Sequence, residues 1–213
     1  MKRYLPAAAL AAALSFGFGG AANAAVYDIN FDQCGCGLSD YGTITVTPDG
    51  ATNTLHVDVL LNSTTFFNQA GGGLDALAFD LVGNPDITLS NLDPATFATN
   101  GAQSAGTHHE DGLGDWDYIV TWIGPPTNNG TLGVHELNFD ITGTSNLVLD
   151  SNLISGKNIY FSVDIIQAGN TGVVGATLGS AVAEPATWAL MIAGIGMLGA
   201  GLRLRRKDEL QFA

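Results

Sequence analysis

Hydrophobic and polar residues alternate along much of the chain between residues 25 and 181. The alternation is clearest at 43–47, 55–59 and 159–165, where every second residue is apolar. A period of two places neighbouring side chains on opposite faces of a strand, so each run predicts a strand with one buried face. Clusters of glycine, asparagine and proline separate the runs and predict tight turns.

About eight to ten strands are expected from this pattern. No part of residues 25–181 keeps apolar residues at helical spacing for long enough to predict a substantial helix. The predicted fold class is all-β: an antiparallel β-sandwich or jelly-roll-like ectodomain, with an N-terminal signal helix and one C-terminal transmembrane helix. The predicted strands lie near 26–31, 42–47, 54–61, 76–82, 86–91, 117–123, 133–142, 146–150, 158–166 and 173–178.

One stretch of this pattern recurs later in the same segment, at an offset of 60 residues. Both copies predict a strand, a glycine turn and a second strand. The recurrence indicates either two related halves of one fold or strand compositions that match by chance, and both interpretations stay open. The matching residues are Leu77, Phe79, Asp80, Leu81, Gly83, Ile87 and Leu89, and Leu137, Phe139, Asp140, Ile141, Gly143, Leu147 and Leu149.

The N-terminal segment has a different character. Lys2 and Arg3 precede an apolar stretch at 5–18, and small residues follow. This order predicts a secretory signal peptide over residues 1–24, with cleavage between Ala24 and Ala25. The ectodomain, residues 25–181, then has the length of a single domain with its own core.

The C-terminal segment, residues 182–207, contains a Glu-Pro pair and an uncharged apolar run at 186–202. As a helix, these 17 residues would be roughly 25 Å long, near the lower limit for crossing a hydrocarbon core of about 30 Å. The basic cluster at 203–207 then predicts a cytoplasmic C-terminus.

Glu-Pro, a tryptophan, a short glycine-rich apolar helix and a basic cluster, in this order, resemble the PEP-CTERM sorting signal. The resemblance implies processing by an exosortase, a membrane-embedded cysteine protease of Gram-negative bacteria that make extracellular polysaccharide. The protein would be anchored transiently in the inner membrane and then released or transferred to the cell surface or matrix. A plain membrane anchor is the alternative. Ala183 departs from the family, which usually has proline there. The sorting residues implied are Glu184, Pro185, Trp188, Arg203, Arg205 and Arg206.

The ectodomain is strongly acidic, with Lys157 as its one basic residue against 17 acidic ones, a net charge of −16. Such a surface cannot neutralise phosphates, which makes nucleic acid an implausible partner. Its self-repulsion favours bound cations, and calcium is the abundant hard cation outside cells. The simpler interpretation is that the charge keeps a secreted protein soluble.

The segment 106–118 is the densest in potential ligands, with two histidines, four acidic residues and two aromatic ones. Asp111, Asp115 and Asp117 are the candidate calcium ligands, although the EF-hand spacing is absent. The alternative is an exposed acidic loop. No cofactor other than calcium is predicted.

Cys34 and Cys36 form a Cys-Gly-Cys sequence. In an oxidising compartment the pair could close a local disulfide, bond to another chain or hold a soft metal. A local bridge or free thiols is the favoured prediction, and so small a ring would stabilise the fold little.

The histidine and glutamate residues of the chain do not have the spacing that a zinc protease motif requires. His109-Glu110 would need a second histidine at Leu113 for a zinc protease, and His135-Glu136 would need one at Phe139. No nucleophile elbow, phosphate-binding loop or dinucleotide fingerprint is present. The sequence therefore predicts a non-enzymatic structural or adhesive protein of an exopolysaccharide matrix or biofilm. The alternatives are a calcium-assisted carbohydrate- or ice-binding module and a matrix polysaccharide hydrolase.

Overall fold

Strands make up nearly all of the regular structure in a computed structural model of the protein, which describes residues 24–68, 75–98, 102–124, 133–179 and 195. The described strands are β1 (Ala25–Asp32), β2 (Gly42–Asp49), β3 (Thr54–Leu61), β4 (Thr65–Phe67), β5 (Asp75–Leu81), β6 (Ile87–Asp93), β7 (Phe97–Ala98), β8 (Ala102–Gln103), β9 (His108–Glu110), β10 (Gly114–Trp116), β11 (Tyr118–Trp122), β12 (Glu136–Gly143), β13 (Leu149–Asp150), β14 (Asn152–Ile154), β15 (Lys157–Ile159), β16 (Phe161–Gln167) and β17 (Asn170–Leu178).

The predicted all-β, antiparallel class is confirmed. One large sheet has the strand order β7-β11-β5-β16-β17-β1-β2-β3-β12-β6-β8, and every pairing in it is antiparallel. Its end strands, β7 and β8, are separated in the chain by only residues 99–101, so the two ends of the sheet lie close together. The sheet therefore wraps nearly closed around one core, in a sandwich-like arrangement.

Residues Asn23–Val182 form one compact unit. The predicted signal peptide and the predicted transmembrane helix lie outside the described residues, apart from Ala24 and the helical Ile195. Within the part of the chain that the structure describes, no helix has the length and apolar character that crossing a membrane requires.

The side chain of Gln103 joins the two ends of the sheet. Its Nε2 donates a hydrogen bond to the carbonyl of Ile119 on β11 (2.9 Å), and its Oε1 accepts one from the Ile119 backbone amide (3.3 Å). A side-chain amide has the same donor and acceptor groups as a peptide bond, so Gln103 replaces a missing strand pairing at this seam.

Replacing Gln103 with alanine should lower the free energy of unfolding by about 1–2 kcal/mol, because two backbone groups of Ile119 lose their partners. Urea denaturation would measure the change. The matched control is Gln33→Ala, which removes the amide of an exposed glutamine and should change stability by less than about 0.5 kcal/mol. Equal stability of the two variants would show that Gln103 does not hold the seam.

The inner face of the sheet forms the main core. Phe79 on β5 and Phe139 on β12 are not neighbours in the sheet, yet their ring centroids lie 6.2 Å apart across the interior. A smaller second core covers part of the outer face, beneath the β9–β10 and β14–β15 hairpins. Its buried members are Ala78, Leu113, Trp116, Ile119, Ile159 and Val173.

The two recurring segments of the sequence pair with each other in the folded protein. Leu89 at the end of the first copy pairs with Ile141 of the second, and Leu149 at the end of the second pairs with Leu81 of the first. Leu89 and Leu149 are equivalent residues of the two copies, and so are Leu81 and Ile141. The two pairings therefore join equivalent residues. Such reciprocity favours two related halves over chance similarity. The ring contact between Phe79 and Phe139, which are equivalent residues, lies where the halves meet.

Candidate functional site

The ligand-rich segment 106–118 folds into a small hairpin in which β9 pairs with β10. Gly112 and Gly114 both have φ of +81°, the left-handed conformation that glycine adopts without strain, and they allow the sharp turn. Leu113 and Trp116 are buried in the second core. The hairpin is thus attached to the sheet by apolar packing.

The three candidate calcium ligands of this hairpin have different surroundings. Asp111 is exposed in the turn, whereas Asp115 lies 2.7 Å from Nδ1 of His109 on the opposite strand. The backbone amide of Asp117 donates a hydrogen bond to Oδ1 of Asp80 (2.6 Å). The structure does not gather the three carboxylates within 4.8 Å of one another. Calcium binding stays a prediction of the sequence.

Glu110 is the unexpected residue of the hairpin, because it is only 6% exposed. Burial, together with the smaller effects of the charges on Asp75, Asp164 and Asp111, raises the pKa of its carboxyl to about 8. Asp164 on β16 is also buried. Burial raises the pKa of Asp75 as well, and the opposing effect of His108, whose Nδ1 lies 4.0 Å away, is smaller. The sequence pattern gave no sign of this group of acids.

Two equivalent aspartates, Asp80 and Asp140, are anchored in matching ways. Oδ2 of Asp80 accepts a hydrogen bond from Nδ2 of Asn152 (3.0 Å), which follows the last strand of the second copy. Oδ2 of Asp140 accepts one from Nδ2 of Asn91 (2.6 Å), which lies in the last strand of the first copy. Each carboxylate therefore holds a strand from the other half. The recurrence contained this signal, since both aspartates are among its matching residues.

All four histidines of the chain lie within 4.0 Å of a carboxylate oxygen. The pairs are His56 with Asp140, His108 with Asp75, His109 with Asp115 and His135 with Glu136. A hydrolytic dyad also needs a nucleophile within hydrogen-bond reach of the histidine. Among the described residues, no serine, threonine or cysteine side chain hydrogen-bonds to any of these rings.

Cys34 and Cys36 are joined by a disulfide in the loop between β1 and β2. The carboxylate of Asp32 accepts hydrogen bonds from the backbone amides of Cys36 (3.1 Å) and Gly37 (3.0 Å). Burial alone would raise the pKa of Asp32, but these bonds and one from Tyr41 outweigh it and lower the pKa. This carboxylate organises the loop.

Asp32, Cys34 and Cys36 are the one group of the described residues whose three potential metal-ligand atoms lie within 4.8 Å of one another. The thiolate is the form of cysteine that ligates metals. The disulfide leaves no thiolate here, so the loop in this state offers a metal only the carboxylate.

The two junctions of the ectodomain are adjacent. Ala24 is exposed, and Ala25 is the first residue of β1 and pairs with Val46, so the predicted cleavage site lies at the start of a strand. At the other junction, Leu178 pairs with Tyr27 of β1. Both termini of the ectodomain thus leave from neighbouring strands.

The predicted sorting residues, Glu184, Pro185, Trp188, Arg203, Arg205 and Arg206, lie outside the described residues. The family described as the PEP-CTERM protein-sorting motif matches residues 181–207. Searches of curated proteins and of solved structures found no match. The motif implies export, exosortase processing and targeting to the cell surface or the extracellular space. Residues 181–207 of the chain thus match a PEP-CTERM protein-sorting motif.

Proposed function

We propose that the ectodomain is a non-enzymatic structural or adhesive component of the cell surface or of an exopolysaccharide matrix. The observation that carries this proposal is the sorting motif, which delivers to the outside a domain built almost entirely of paired strands. The faces of such paired strands provide a surface along which an extended polymer can lie.

The use of the polar residues supports this role. Trp116 and Glu110 in the hairpin are buried, and Asp80 and Asp140 hold strands together. The side chains that most resemble a catalytic set in the sequence are therefore buried or bonded to a neighbouring strand. A paired-carboxylate hydrolase instead needs two acids facing a cleft that substrate can enter.

The charge of the ectodomain restricts the kinds of polymer that it can bind. A net charge of −16 repels anionic polymers at long range and keeps copies of the domain apart in solution. A neutral polysaccharide meets no such barrier. We infer that adhesion uses neutral segments of the matrix.

Cosedimentation with the polysaccharide of the producing bacterium tests the adhesive role. The mature ectodomain should sediment with the polymer and leave its chain length unchanged. A shortened polymer would show a hydrolase, and an ectodomain that stays in the supernatant would remove the adhesive role.

Sorting is tested by replacing Glu184 and Pro185 together with alanine. The precursor should then keep its C-terminal segment and stay in the membrane fraction, because the processing site is lost. Mass spectrometry of the C-terminus and cell fractionation would measure this, with Thr187→Ser as the matched control. Processing at the same position in the double variant would contradict the assigned role of the Glu-Pro pair.

A further inference from the structure

A groove with a volume of about 550 Å³ lies on the outer surface where β4 meets β16. This volume is within the range of about 300–1,000 Å³ that small-ligand sites occupy. The groove is separate from the hairpin at 106–118, and neither the sorting motif nor the second core accounts for it. Its described lining includes Ser63, Thr64, Phe66, Ile166, Gln167 and Gly169.

The floor of the groove is a cross-strand pair. Phe66 on β4 is directly opposite Ile166 on β16, so both side chains are on the same face of the sheet. The residues on either side of Phe66, Thr65 and Phe67, are fully buried, and Phe67 is part of the main core. This alternation directs Phe66 outwards, where its ring is only partly buried.

Two neighbouring residues hold the ring of Phe66 in place. It makes an edge contact with the ring of His135, with 6.1 Å between the centroids. Gly133 lies so close to the ring that an added Cβ would be 2.1 Å from Cγ of Phe66. A ring fixed in this way presents an apolar surface without the entropy cost of ordering it on binding.

The rim of the groove carries neutral hydrogen-bonding groups. The turn at Ser63 and Thr64 and the turn at Ala168 and Gly169 are side by side, because Thr65 pairs with Gln167 at the ends of their strands. The rim thus offers the hydroxyl groups of Ser63 and Thr64 above an apolar floor.

The described lining contains no charged side chain, although the ectodomain has 17 acidic residues. A sugar ring has an apolar face of C–H groups and an edge of hydroxyl groups, which match such a floor and such a rim. We propose that this groove binds a short segment of a neutral polysaccharide. The assignment rests on the proposed function, which places the ectodomain in a polysaccharide matrix.

A second groove, of about 370 Å³, provides an internal contrast. It is lined by Lys157, Asn158, Tyr160, Thr177 and Leu178, and Lys157 is the one cationic side chain of the ectodomain. An acidic sugar would select this second groove, because its carboxylate pairs with the ammonium group. A neutral sugar has no reason to prefer it.

Calorimetric titration of the ectodomain tests the proposal, with cellohexaose and mannohexaose as neutral probes and hexagalacturonate as the acidic probe. Residues 23–182 suit the experiment, because they form a compact unit with its own core. We expect at least one neutral hexasaccharide to bind. The variant Phe66→Ala should weaken its binding at least tenfold, and Ser63→Ala or Thr64→Ala severalfold.

The matched control is Lys157→Ala, which should leave binding of the neutral probe unchanged. Thermal melting would establish that each variant is folded, and the two polar variants test the groove independently of the ring. The assignment is overturned if no neutral probe binds, if Phe66→Ala, Ser63→Ala and Thr64→Ala all bind normally, or if only hexagalacturonate binds and Lys157→Ala abolishes it.

Cosedimentation separates this proposal from the one on which it rests. If the matrix polysaccharide retains Phe66→Ala as well as the unaltered ectodomain, the adhesive role stands. The groove is then not the site of adhesion. Loss of retention in Phe66→Ala but not in Lys157→Ala would support both.

Discussion

Replacing Phe79 with alanine is expected to lower the free energy of unfolding by about 3–5 kcal/mol, and replacing Phe139 should have a similar effect. Both rings are buried in the main core, with 0% and 2% exposure. They are equivalent residues of the two recurring segments, and their centroids lie 6.2 Å apart. Truncating either ring leaves a cavity where the two halves meet. Chemical denaturation monitored by circular dichroism would measure the loss.

The double variant tests whether the contact itself matters. The two losses should fall short of additivity by about 0.5–1.5 kcal/mol, because the second truncation removes a ring contact already lost. Phe66→Ala is the matched control: its ring is directed outwards and its loss should cost much less. Strict additivity, or a cost at Phe139 no larger than at Phe66, would contradict a central contact between the halves.

The second large effect concerns Glu110 and pH. The pKa of this carboxyl is about 8 in the folded protein, against an ordinary value of 4.5. Between these values the folded state keeps a proton that the unfolded state releases, so stability falls as the pH rises from 4.5 to 8. The shift corresponds to a loss of about 5 kcal/mol from this group alone. Raised pKa values at Asp75 and Asp80 act in the same direction.

Replacing Glu110 with glutamine removes this titration and keeps a neutral side chain of similar shape. The variant should be more stable than the unaltered protein at pH 8.5 and nearly equal to it at pH 4.5. Thermal melting across this pH range is the measurement. Glu136→Gln is the control, since its side chain is 62% exposed and should leave the pH profile unchanged. A Glu110→Gln profile that still falls between pH 4.5 and 8 by the full amount would rule out Glu110 as the titrating group.

The alternating segments of the sequence predicted the long strands well. The strands expected near 42–47, 54–61 and 133–142 correspond to β2, β3 and β12, because one buried face imposes a period of two. Short strands such as β7 and β8 have two residues each, too few to show a period. The sequence predicted one long strand near 158–166, where the structure has β15 and β16 separated by Tyr160.

The candidate site was predictable only in part. The density of ligands at 106–118 indicated a special segment, and the glycines indicated its turn. The raised pKa of Glu110 could not be predicted, because it depends on burial in the folded protein and on the charges of Asp75 and Asp164, which are distant in the sequence. Acidic residues in alternating patterns are ordinarily exposed, and nothing local distinguishes one that a second layer covers.

The recurrence at an offset of 60 residues was visible in the sequence, but its consequence was not. The sequence showed two similar strand pairs. Their reciprocal pairing, of β6 with β12 and of β13 with β5, is visible only in the folded structure. The hydrogen bonds of Asn91 and Asn152 fall outside the matching positions and were not foreseen.

The position of β17 has a mechanical consequence. This strand of nine residues, roughly 30 Å long, starts beside the turn at Ala168 and Gly169 and ends near the segment that leads to the sorting motif. Tension between a polymer held at that turn and an anchor beyond Leu178 would act along the strand axis. Because β16 and β1 flank β17 on both sides, its hydrogen bonds would be loaded in shear and would have to break together rather than one by one.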